Sequence, residues 1–363
     1  MISNMKKSTM LGLATLILSF TANAQLNYAP AVKFNPPTYV CYKTSATITV
    51  DGKLSPEEWD AIPLASALVD IEGSKRPNPF LNTELKMAYN DEGMFFAVLM
   101  EEPHVWATIT EHDAVIFHDN DFEIFLNPTN DTHNYLEYEV NALGTVWDLY
   151  LSKPYRDGGT ILNGWEFAGM QSAVHVDGTL NDPTDIDKSW SLEVFIPWAS
   201  INQVKRKTTA PNSGEQMRVN FSRVQWTAEV QDGKYVKVPI VGEDRIREYN
   251  WVWAPTGVID IHRPEFWGFV QFSDKEIGQD KFVMNPDEQI KWELRNLYYR
   301  QREYHRANGN YANNIADLKA NEVCSNPEKL QLHSTPSLYE IIMPTTNGRK
   351  WHIRQDGLVW STE

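Results

Sequence analysis

The chain has 363 residues, of which 42% are hydrophobic and 12% aromatic, and its formal net charge is −15 at pH 7. This apolar content is enough for a packed core, and a charged fraction of 22% argues against general disorder. The negative charge disfavours nucleic acid and anionic lipid as partners, because both need clustered cations. It suits neutral ligands, cationic ligands and metal ions.

The first 24 residues have the pattern of a signal peptide. Lys6 and Lys7 precede an apolar stretch at 10–20, and Ala22-Asn23-Ala24 is a small-residue cleavage site. The stretch is too short to span a membrane easily, so we expect cleavage near Ala24 and export to the periplasm or the cell exterior. An uncleaved anchor is the alternative. No later stretch is apolar enough to span a bilayer.

The segments that follow predict a protein made mostly of β-strands. Residues 25–45 contain three prolines and are expected to be an irregular extension. Beyond them, short segments that alternate apolar and polar residues are separated by turn formers. The predicted strands are 46–50, 83–89, 94–101, 121–126, 135–142, 189–198, 217–226 and 267–273, with a short helix at 55–59. Many strands and almost no helix indicate an all-β antiparallel β-sandwich of the immunoglobulin-like or jelly-roll type, over residues 46–273.

The pattern changes near residue 275. Residues 286–309 are rich in helix formers, with an apolar stripe through Ile290, Leu294 and Leu297, and Gly309 is suited to end the helix. Short strand-like segments follow. We therefore predict a small α+β module over residues 274–363. The expectation is that it packs against the sandwich, and docking of a protein partner is a hypothesis.

Two neighbouring predicted strands carry acidic residues on one side. Asp121 and Glu123 alternate with apolar residues in the first strand, and Glu137 and Glu139 do so in the second. If the strands pair, the four carboxylates lie on the same sheet face. Because they repel one another, they need cations, protons, basic partners or polar ligand groups.

Several phrases occur in the order found in a known family. They include TITVDGKLSPEEW, LKMAYNDEGMFFAVLMEEP, DNDFEIFLNP, YLEYEVNALGTVWD, SWSLEVFIPW and NWVWAPTGVIDIHRPEFWGFVQF. Together they resemble the family 9 carbohydrate-binding modules over roughly 46–273, as found in secreted bacterial proteins. The resemblance implies a β-sandwich that binds soluble glycans, in proteins that capture or degrade polysaccharides. It also implies structural calcium ions.

In that family two aromatic side chains enclose a terminal sugar, and an arginine and a glutamate bind its hydroxyls. The resemblance places the first aromatic at Phe117 and the acid at Glu123. The arginine position falls near Glu139, which reverses the charge, and the second aromatic position falls near Ile261. The sugar clamp of the family is therefore not reproduced.

A sugar site needs aromatic faces for the C–H side of the ring, and acids or amides for the hydroxyls. The candidate ligand-binding residues are Phe117, Glu123, Glu137, Glu139, Asn141, Trp147, Trp165 and Arg218. Trp106, Trp251 and Trp253 could line a site at a loop edge, whereas Trp190 and Trp267 fit the core. The alternative for any single tryptophan is a core or rim position.

The sequence suggests two kinds of metal site. Clustered oxygen ligands suit structural Ca²⁺, and the candidates are Asp119, Asp121, Asn127 and Asp131. They do not have EF-hand spacing, so a polar turn is the alternative. A transition-metal site could be formed by His104, His112, His118 and Asp119, but surface histidines are the favoured interpretation.

These observations predict a secreted carbohydrate-binding protein that acts in polysaccharide capture or carbohydrate catabolism, without catalysis of its own. One alternative is a glycoside hydrolase that uses paired carboxylates among Glu123, Glu137 and Glu139. The other is a structural or interaction protein with a degenerate sugar site. Cys41 and Cys324 could form a disulfide after export or remain separate buried thiols.

Overall fold

The computed structural model of the protein describes residues 34–205, 207–346 and 348–363. The predicted signal peptide at 1–24 and residues 25–33 of the predicted extension lie outside the described residues. Among the described residues, no helix is both long enough and apolar enough to cross a membrane.

The described strands are numbered in chain order. They are β1 (Thr38–Lys43), β2 (Val69–Asp70), β3 (Thr83–Tyr89), β4 (Gly93–Glu101), β5 (Asp121–Asn127), β6 (Tyr135–Asn141), β7 (Val146–Leu151), β8 (Ile161–Leu162), β9 (Gln171–Asp177), β10 (Ser189–Pro197), β11 (Gln216–Trp226), β12 (Ala228–Gln231), β13 (Lys234–Lys237), β14 (Glu248–Val252), β15 (Gly268–Ser273), β16 (Gln331–Ser334), β17 (Tyr339–Pro344), β18 (Lys350–Arg354) and β19 (Val359–Thr362). The α-helices are α1 (Pro56–Trp59), α2 (Trp198–Ile201) and α3 (Asp287–Asn308). Short 3-10 turns occupy Gly73–Lys75, Ile116–His118, Tyr155–Asp157, Gln203–Lys205, Pro264–Phe266, Ile315–Leu318, Ala320–Glu322 and Pro327–Lys329.

The strands from β1 to β11, with β14 and β15, form one continuous curled sheet. Its strand order is β8-β7-β6-β5-β11-β15-β1-β3-β4-β10-β9, with β14 and β2 attached beside β11. The half from β8 to β15 packs over the half from β3 to β9, which confirms the predicted β-sandwich. The ladders are antiparallel except at β1, which runs parallel to both β15 and β3.

Two predictions at the start of the sandwich are wrong. Residues 38–43 were expected to be irregular but form β1, a central strand that places Tyr39 and Cys41 in the core. Residues 46–50 were expected to form the first strand but are not part of a described sheet. The backbone N–H of Thr49 instead donates to the Glu58 carboxylate at 3.0 Å. This segment covers the outer face of the sheet near α1, because Ile48 packs against the cluster around Trp59.

The sandwich core follows the alternation seen in the sequence. Phe122, Ile124 and Leu126 of β5 lie fully buried between the two halves. Phe96 of β4 reaches across to Phe221 of β11, with ring centroids 6.0 Å apart. In each strand, the residues that alternate with these core residues face the other side of the sheet. This is why the acidic residues of β5 and β6 share the outer face.

The C-terminal residues form a helix and a four-stranded antiparallel sheet, in the order β16-β17-β18-β19. The helix α3 ends at Asn308, and Gly309 follows with φ +77°, the left-handed conformation for which glycine is suited. A separate hydrophobic cluster lies between α3 and this sheet, and it includes Leu294, Leu297 and Ile353. The predicted domain boundary at 273/274 stays a prediction.

Buried ion pairs and hydrogen bonds join α3 to the sandwich. Arg218 of β11 contacts Glu288 of α3 at 2.7 Å, and both side chains are 3% exposed. Arg295 of α3 donates to the Thr132 hydroxyl at 2.7 Å. The C-terminal module therefore packs against the sandwich, as expected.

The two cysteines lie in different hydrophobic clusters. Cys41 belongs to the sandwich core and Cys324 to the C-terminal cluster, and both are free thiols. Of the two possibilities left open by the sequence, the structure has the separate buried thiols. Burial raises the pKa of each thiol above its usual value.

Candidate functional site

Four carboxylates of β5 and β6 meet on the outer face of the sandwich. Glu123 of β5 lies directly opposite Glu139 of β6, and Glu137 lies opposite Phe125. Asp121 is two residues before Glu123 on the same side of its strand. We call these four residues, Asp121, Glu123, Glu137 and Glu139, the acidic face. The predicted pairing of the two strands and the crowding of their carboxylates are confirmed.

The acidic face is almost closed to solvent. The exposed fractions are 0% for Asp121, 5% for Glu123, 4% for Glu137 and 2% for Glu139. Both carboxylate oxygens of Asp121 lack a hydrogen-bond partner within the described chain, as does Oε2 of both Glu137 and Glu139. Buried polar atoms are nearly always paired, so these oxygens are available for a ligand, a proton or a cation.

Burial raises the pKa of every carboxyl on this face, and repulsion within the face adds to it for Asp121, Glu137 and Glu139. Burial is the largest cause for Asp121, Glu137 and Glu139, and the nearby Glu123 carboxylate is the next. Burial raises the pKa of Glu123 itself to about 7, although the hydrogen bond from Ser222 opposes the increase. The four groups therefore do not all carry a charge at neutral pH unless a cation joins them.

Aromatic side chains border the acidic face. Trp147 of β7 lies opposite Glu139 in the next ladder, and its indole N–H donates to Asn163 at 2.6 Å. Tyr155 is 41% exposed and packs edge-to-face on His262, with ring centroids 4.4 Å apart, and its pKa is raised first by burial and then by the charges of Glu137 and Glu139. Phe117 is half-buried and packs in the same hydrophobic cluster as Trp147. The face is thus an acidic floor with aromatic groups beside it.

Asn141 is on this face but is used by the surrounding loops. It lies opposite Asp121, and its side-chain N–H groups donate to the Ile109 carbonyl at 2.9 Å and to Asp119 at 3.1 Å. Its side-chain oxygen accepts from the backbone N–H groups of Leu143 and Thr145. A direct role of Asn141 in ligand binding would disrupt these bonds.

Two predicted ligand-binding residues lie elsewhere. Arg218 is buried beneath α3, where it pairs with Glu288 and donates to the Pro264 and Glu265 carbonyls, so it is not available to a sugar. Trp165 lies on a loop, packed edge-to-face on Phe167 with centroids 4.6 Å apart. Similarly, Trp106, Trp251 and Trp253 are buried rather than open at a loop edge.

The predicted calcium ligands are not brought together, which corrects that prediction. Asp121 and Asn127 lie at opposite ends of β5, about 20 Å apart at the usual rise of a strand. Asp119 accepts from the backbone N–H groups of Thr108 and Ile109 at 2.7 and 2.8 Å. Asn127 and Asp131 organise the turn after β5 by hydrogen bonds to residues 129–133. The alternative of a polar turn therefore accounts for Asn127 and Asp131. Asp121 belongs to the acidic face.

A different set of oxygens has the spacing that a cation requires. One ligand atom from each of Asp121, Glu123 and Glu139 lies within 4.8 Å of the others. All three are carboxylates, the ligand type that Ca²⁺ prefers, and two of them, Asp121 and Glu139, carry unpaired buried oxygens. These residues fit a calcium ion better than the set predicted from the sequence.

The structure also assembles a group that sequence reasoning missed. His112, Asp113, Asp148 and Glu166 come from two loops and β7, and each has a ligand atom within 4.8 Å of the others. We call this set the His112 cluster. His104 and His118, considered with His112 from the sequence, are not part of it. No spacing pattern could have indicated it, since its members are spread over two loops and a strand.

An open depression elsewhere on the sandwich contains an exposed aromatic ring. Phe80 is 62% exposed and packs edge-to-face on Trp251 and Tyr249, with centroids 5.0 and 5.4 Å away. The groove beside it has a volume of about 420 Å³ and includes Asn82 and Glu101. We call it the Phe80 groove. A larger depression of about 790 Å³ lies between the sandwich and α3, but aromatic side chains are absent from its described lining.

Comparison with known proteins gives structural similarity only. No protein-family model matches the chain, and no curated protein matches it in sequence. A Bacteroides uniformis protein proposed to bind carbohydrate is 17% identical, with a TM-score of 0.48 over 66% of this chain and 100% of that one.

A family 9 carbohydrate-binding module from Caldicellulosiruptor kristjanssonii also matches. Its complex with cellotriose is 13% identical, with a TM-score of 0.40 over 69% of this chain and 100% of that one. Its complex with glucose is likewise 13% identical, with a TM-score of 0.40 over 68% and 98%. The chain is therefore similar in structure to proteins of this kind, and the β-sandwich itself is established by the strand order and core described above.

Proposed function

We propose that the protein is a secreted carbohydrate-binding protein that acts in polysaccharide capture or carbohydrate catabolism, without catalysis of its own. The observation that carries the proposal is the acidic face, where unpaired carboxylate oxygens lie beside Trp147 and Tyr155. Sugars combine hydroxyl donors with apolar C–H faces, and a floor of acceptors beside aromatic rings complements both.

The enclosure of the acidic face favours a small ligand. Because its carboxylates are at most 5% exposed, a flat polysaccharide surface cannot reach them, and a single sugar unit reaches them only if the side chains at the edge of the face move. A terminal sugar unit that enters beside Tyr155 could donate hydroxyl hydrogens to Glu137 and Glu139. These would be charge-assisted hydrogen bonds, which are stronger than neutral ones.

Calcium is part of this proposal, at Asp121, Glu123 and Glu139. An ion there would offset the repulsion among the carboxylates and keep them charged for a ligand. Without an ion, protons would take its place, because the pKa values on this face are raised. Calcium binding and sugar binding can be separated by experiment.

The test is a panel of oligosaccharides and polysaccharides, offered to the purified protein with calcium and then with EDTA. Glu139→Gln should weaken any binding about tenfold or more, since a hydrogen bond to a charged group contributes about 1.5–3 kcal/mol. Glu229→Gln, an exposed position on β12, is the matched control and should bind like the parent protein. Binding that survives Glu139→Gln unchanged would reject the acidic face as the site.

The Phe80 groove is a second place where a sugar could bind on the same molecule. Phe80→Ala distinguishes the two places, because it removes the exposed ring and leaves the acidic face intact. If Phe80→Ala abolishes binding and Glu139→Gln does not, the protein binds sugar in the groove. The general proposal would then stand, with a different site.

A glycoside hydrolase is the alternative that one observation favours. Glu123 has a pKa raised to about 7 and lies directly opposite Glu139, as a proton-sharing acid and base would. Reducing-sugar release is therefore measured in the same wells. Release that Glu123→Gln abolishes would establish an enzyme. If neither binding nor release occurs with any glycan, the structural or interaction role becomes the favoured alternative.

A further inference from the structure

The His112 cluster lies on the opposite side of β7 from the acidic face. Asp148 is opposite Tyr138 in the β6–β7 ladder and therefore faces the interior, whereas its neighbour Trp147 faces outward. His112 and Asp113 come from the loop before β5, and Glu166 comes from the loop after β8. A backbone hydrogen bond from Asp113 to the Val146 carbonyl, 3.1 Å long, fixes the first loop against β7.

The distances from His112 to the three carboxylates are compatible with ligands around a common ion, and the shortest is also a hydrogen bond between His112 and Glu166. His112 Nε2 is 3.0 Å from Glu166 Oε1, 3.5 Å from Asp113 Oδ1 and 4.0 Å from Asp148 Oδ1. Two ligands that are each about 2.1 Å from a metal ion lie about 3.0–4.2 Å apart, depending on the angle between them. All three separations fall in this interval.

Unpaired buried oxygens point to a missing ligand. The Asp148 side chain is 0% exposed. Its Oδ2 accepts from the Phe167 backbone N–H at 2.6 Å, but Oδ1 has no hydrogen-bond partner among the described residues. Oδ1 is the oxygen that lies toward His112. Asp113 Oδ1 is also buried and unpaired in the described structure.

The charge balance of the cluster also favours a cation. Three carboxylates surround one imidazole, which cannot neutralise them even when protonated. A divalent ion would supply two positive charges at the point where these groups converge.

We infer that the His112 cluster binds one divalent transition-metal ion through His112 Nε2 and the carboxylates of Asp113, Asp148 and Glu166. An imidazole nitrogen with carboxylate oxygens suits Zn²⁺, Mn²⁺ or Co²⁺, whereas Ca²⁺ and Mg²⁺ take oxygen ligands. Nε2 must lose its proton to the solvent on binding, and Nδ1 then carries the remaining one. The ion would tie the loops at 108–115 and 163–168 to β7.

This site has a structural consequence for the acidic face. The loop that carries Glu166 also carries Asn163, which accepts the hydrogen bond of Trp147 at 2.6 Å. The ion would therefore hold in place a loop that fixes one of the aromatic groups beside the acidic face. The metal site is formed by residues other than those proposed to bind sugar, so ion binding can be measured without a glycan.

The test uses the full chain without the predicted signal peptide, stripped with EDTA and transferred to chelator-free buffer. Zn²⁺, Mn²⁺, Co²⁺ and Ca²⁺ are titrated separately by calorimetry, and Co²⁺ binding is also followed by its visible absorption. We expect one Zn²⁺ or Co²⁺ per chain, bound more tightly than Ca²⁺ at this site. His112→Ala and Asp148→Asn should each weaken that binding about tenfold or more.

Control variants separate the His112 cluster from the other places where an ion could bind. His175→Ala, an exposed histidine on β9, should leave Co²⁺ binding unchanged. Glu166→Gln, at an exposed position, provides a second ligand variant should Asp148→Asn fail to fold. The double variant Glu123→Gln/Glu139→Gln should retain the ion. The inference is overturned if none of the ions binds saturably, if His112→Ala and Glu166→Gln both bind like the parent, or if only the double variant loses the ion.

Discussion

Glu123 and Glu139 lie directly opposite each other on β5 and β6, and both are at least 95% buried. Directly opposed like charges destabilise a sheet. The sandwich nevertheless places Glu137 and Asp121 beside them, so that these neighbours raise one another's pKa values. A protein that keeps such a pair buried on the outer face of its sheet gives up stability at this point, and the loss should be measurable.

Stability should fall as the pH rises from 6.5 to 8.5 in EDTA. The folded pKa values of the acidic face are above the unfolded values near 4.5, so the folded state holds protons that the unfolded state has lost. Each carboxyl that keeps its proton in the folded state across this interval lowers the free energy of unfolding by about 1.4 kcal/mol per pH unit. Glu123, with a folded pKa of about 7, contributes mainly at the lower end of the interval. Urea unfolding at several pH values measures the slope.

The pH range from 6.5 to 8.5 avoids the opposite effect of His262, which makes the free energy of unfolding increase with pH at lower pH. Burial lowers the pKa of His262 to about 4, so its contribution to stability increases with pH up to its unfolded value near 6.5 and is constant above it. A stability that rises between pH 6.5 and 8.5 would contradict the raised pKa values of the acidic face. Added calcium should reduce the loss if the ion binds there.

Glu139→Gln should stabilise the protein at pH 8 in EDTA, although we expect it to impair sugar binding. The substitution conserves volume and removes one of the crowded charges. An increase of about 1–2 kcal/mol in the free energy of unfolding is expected, which is within the usual range for a single substitution. Glu229→Gln is the exposed control, for which a change within about 0.5 kcal/mol is expected. A loss of stability in Glu139→Gln would mean that the carboxylate has a partner that the structure does not show.

Arg218→Ala should strongly destabilise the protein. Removal of the guanidinium leaves Glu288 buried without its 2.7 Å partner, and breaking a buried pair in this way costs about 3–5 kcal/mol. Arg76→Ala is the matched control, because Arg76 forms its ion pairs at the surface with 38% exposure. Exposed pairs contribute about 0–1 kcal/mol. Equal effects of the two substitutions, measured by urea unfolding, would argue against the buried contact between β11 and α3.

Both thiols should be unreactive in the native protein and reactive after unfolding. Cys41 is 0% exposed and Cys324 is 7% exposed, and burial raises both pKa values, which disfavours the reactive thiolate. A thiol reagent should detect close to none in buffer and two in guanidinium without reductant. Failure to find two thiols under the unfolding condition would indicate a disulfide and contradict the separate placement of the cysteines.

The acidic face could be predicted from the sequence because its signal is local. The alternation in β5 and β6 assigns Glu123 and Glu139 to one side of their strands, and a turn-rich segment between them makes antiparallel pairing the simplest outcome. The sandwich follows from the same pattern repeated along the chain. Strand alternation therefore predicted both the fold and the most unusual feature of its surface.

Features that depend on contacts between distant segments could not be predicted. Arg218 alternates correctly along β11 to face the same side as Glu123, yet α3 covers its end of the strand and takes it as an ion-pair partner. Asp148 and His112 belong to different segments, and their proximity depends on how a loop folds over β7. The strand β1 was missed because the prolines before it suggested an irregular segment, whereas its buried position depends on β15, near the far end of the sandwich sequence.

The most direct test of the carbohydrate site is the glycan affinity of the parent protein compared with that of Glu139→Gln and of Glu229→Gln. Isothermal titration with the best ligand from the panel, at pH 7 with calcium present, gives the three affinities under one condition. We predict a measurable affinity for the parent protein, the same affinity for Glu229→Gln and a loss of about tenfold or more for Glu139→Gln. Equal affinities for all three proteins, or no binding to any glycan, would contradict the claim that the acidic face is a carbohydrate site.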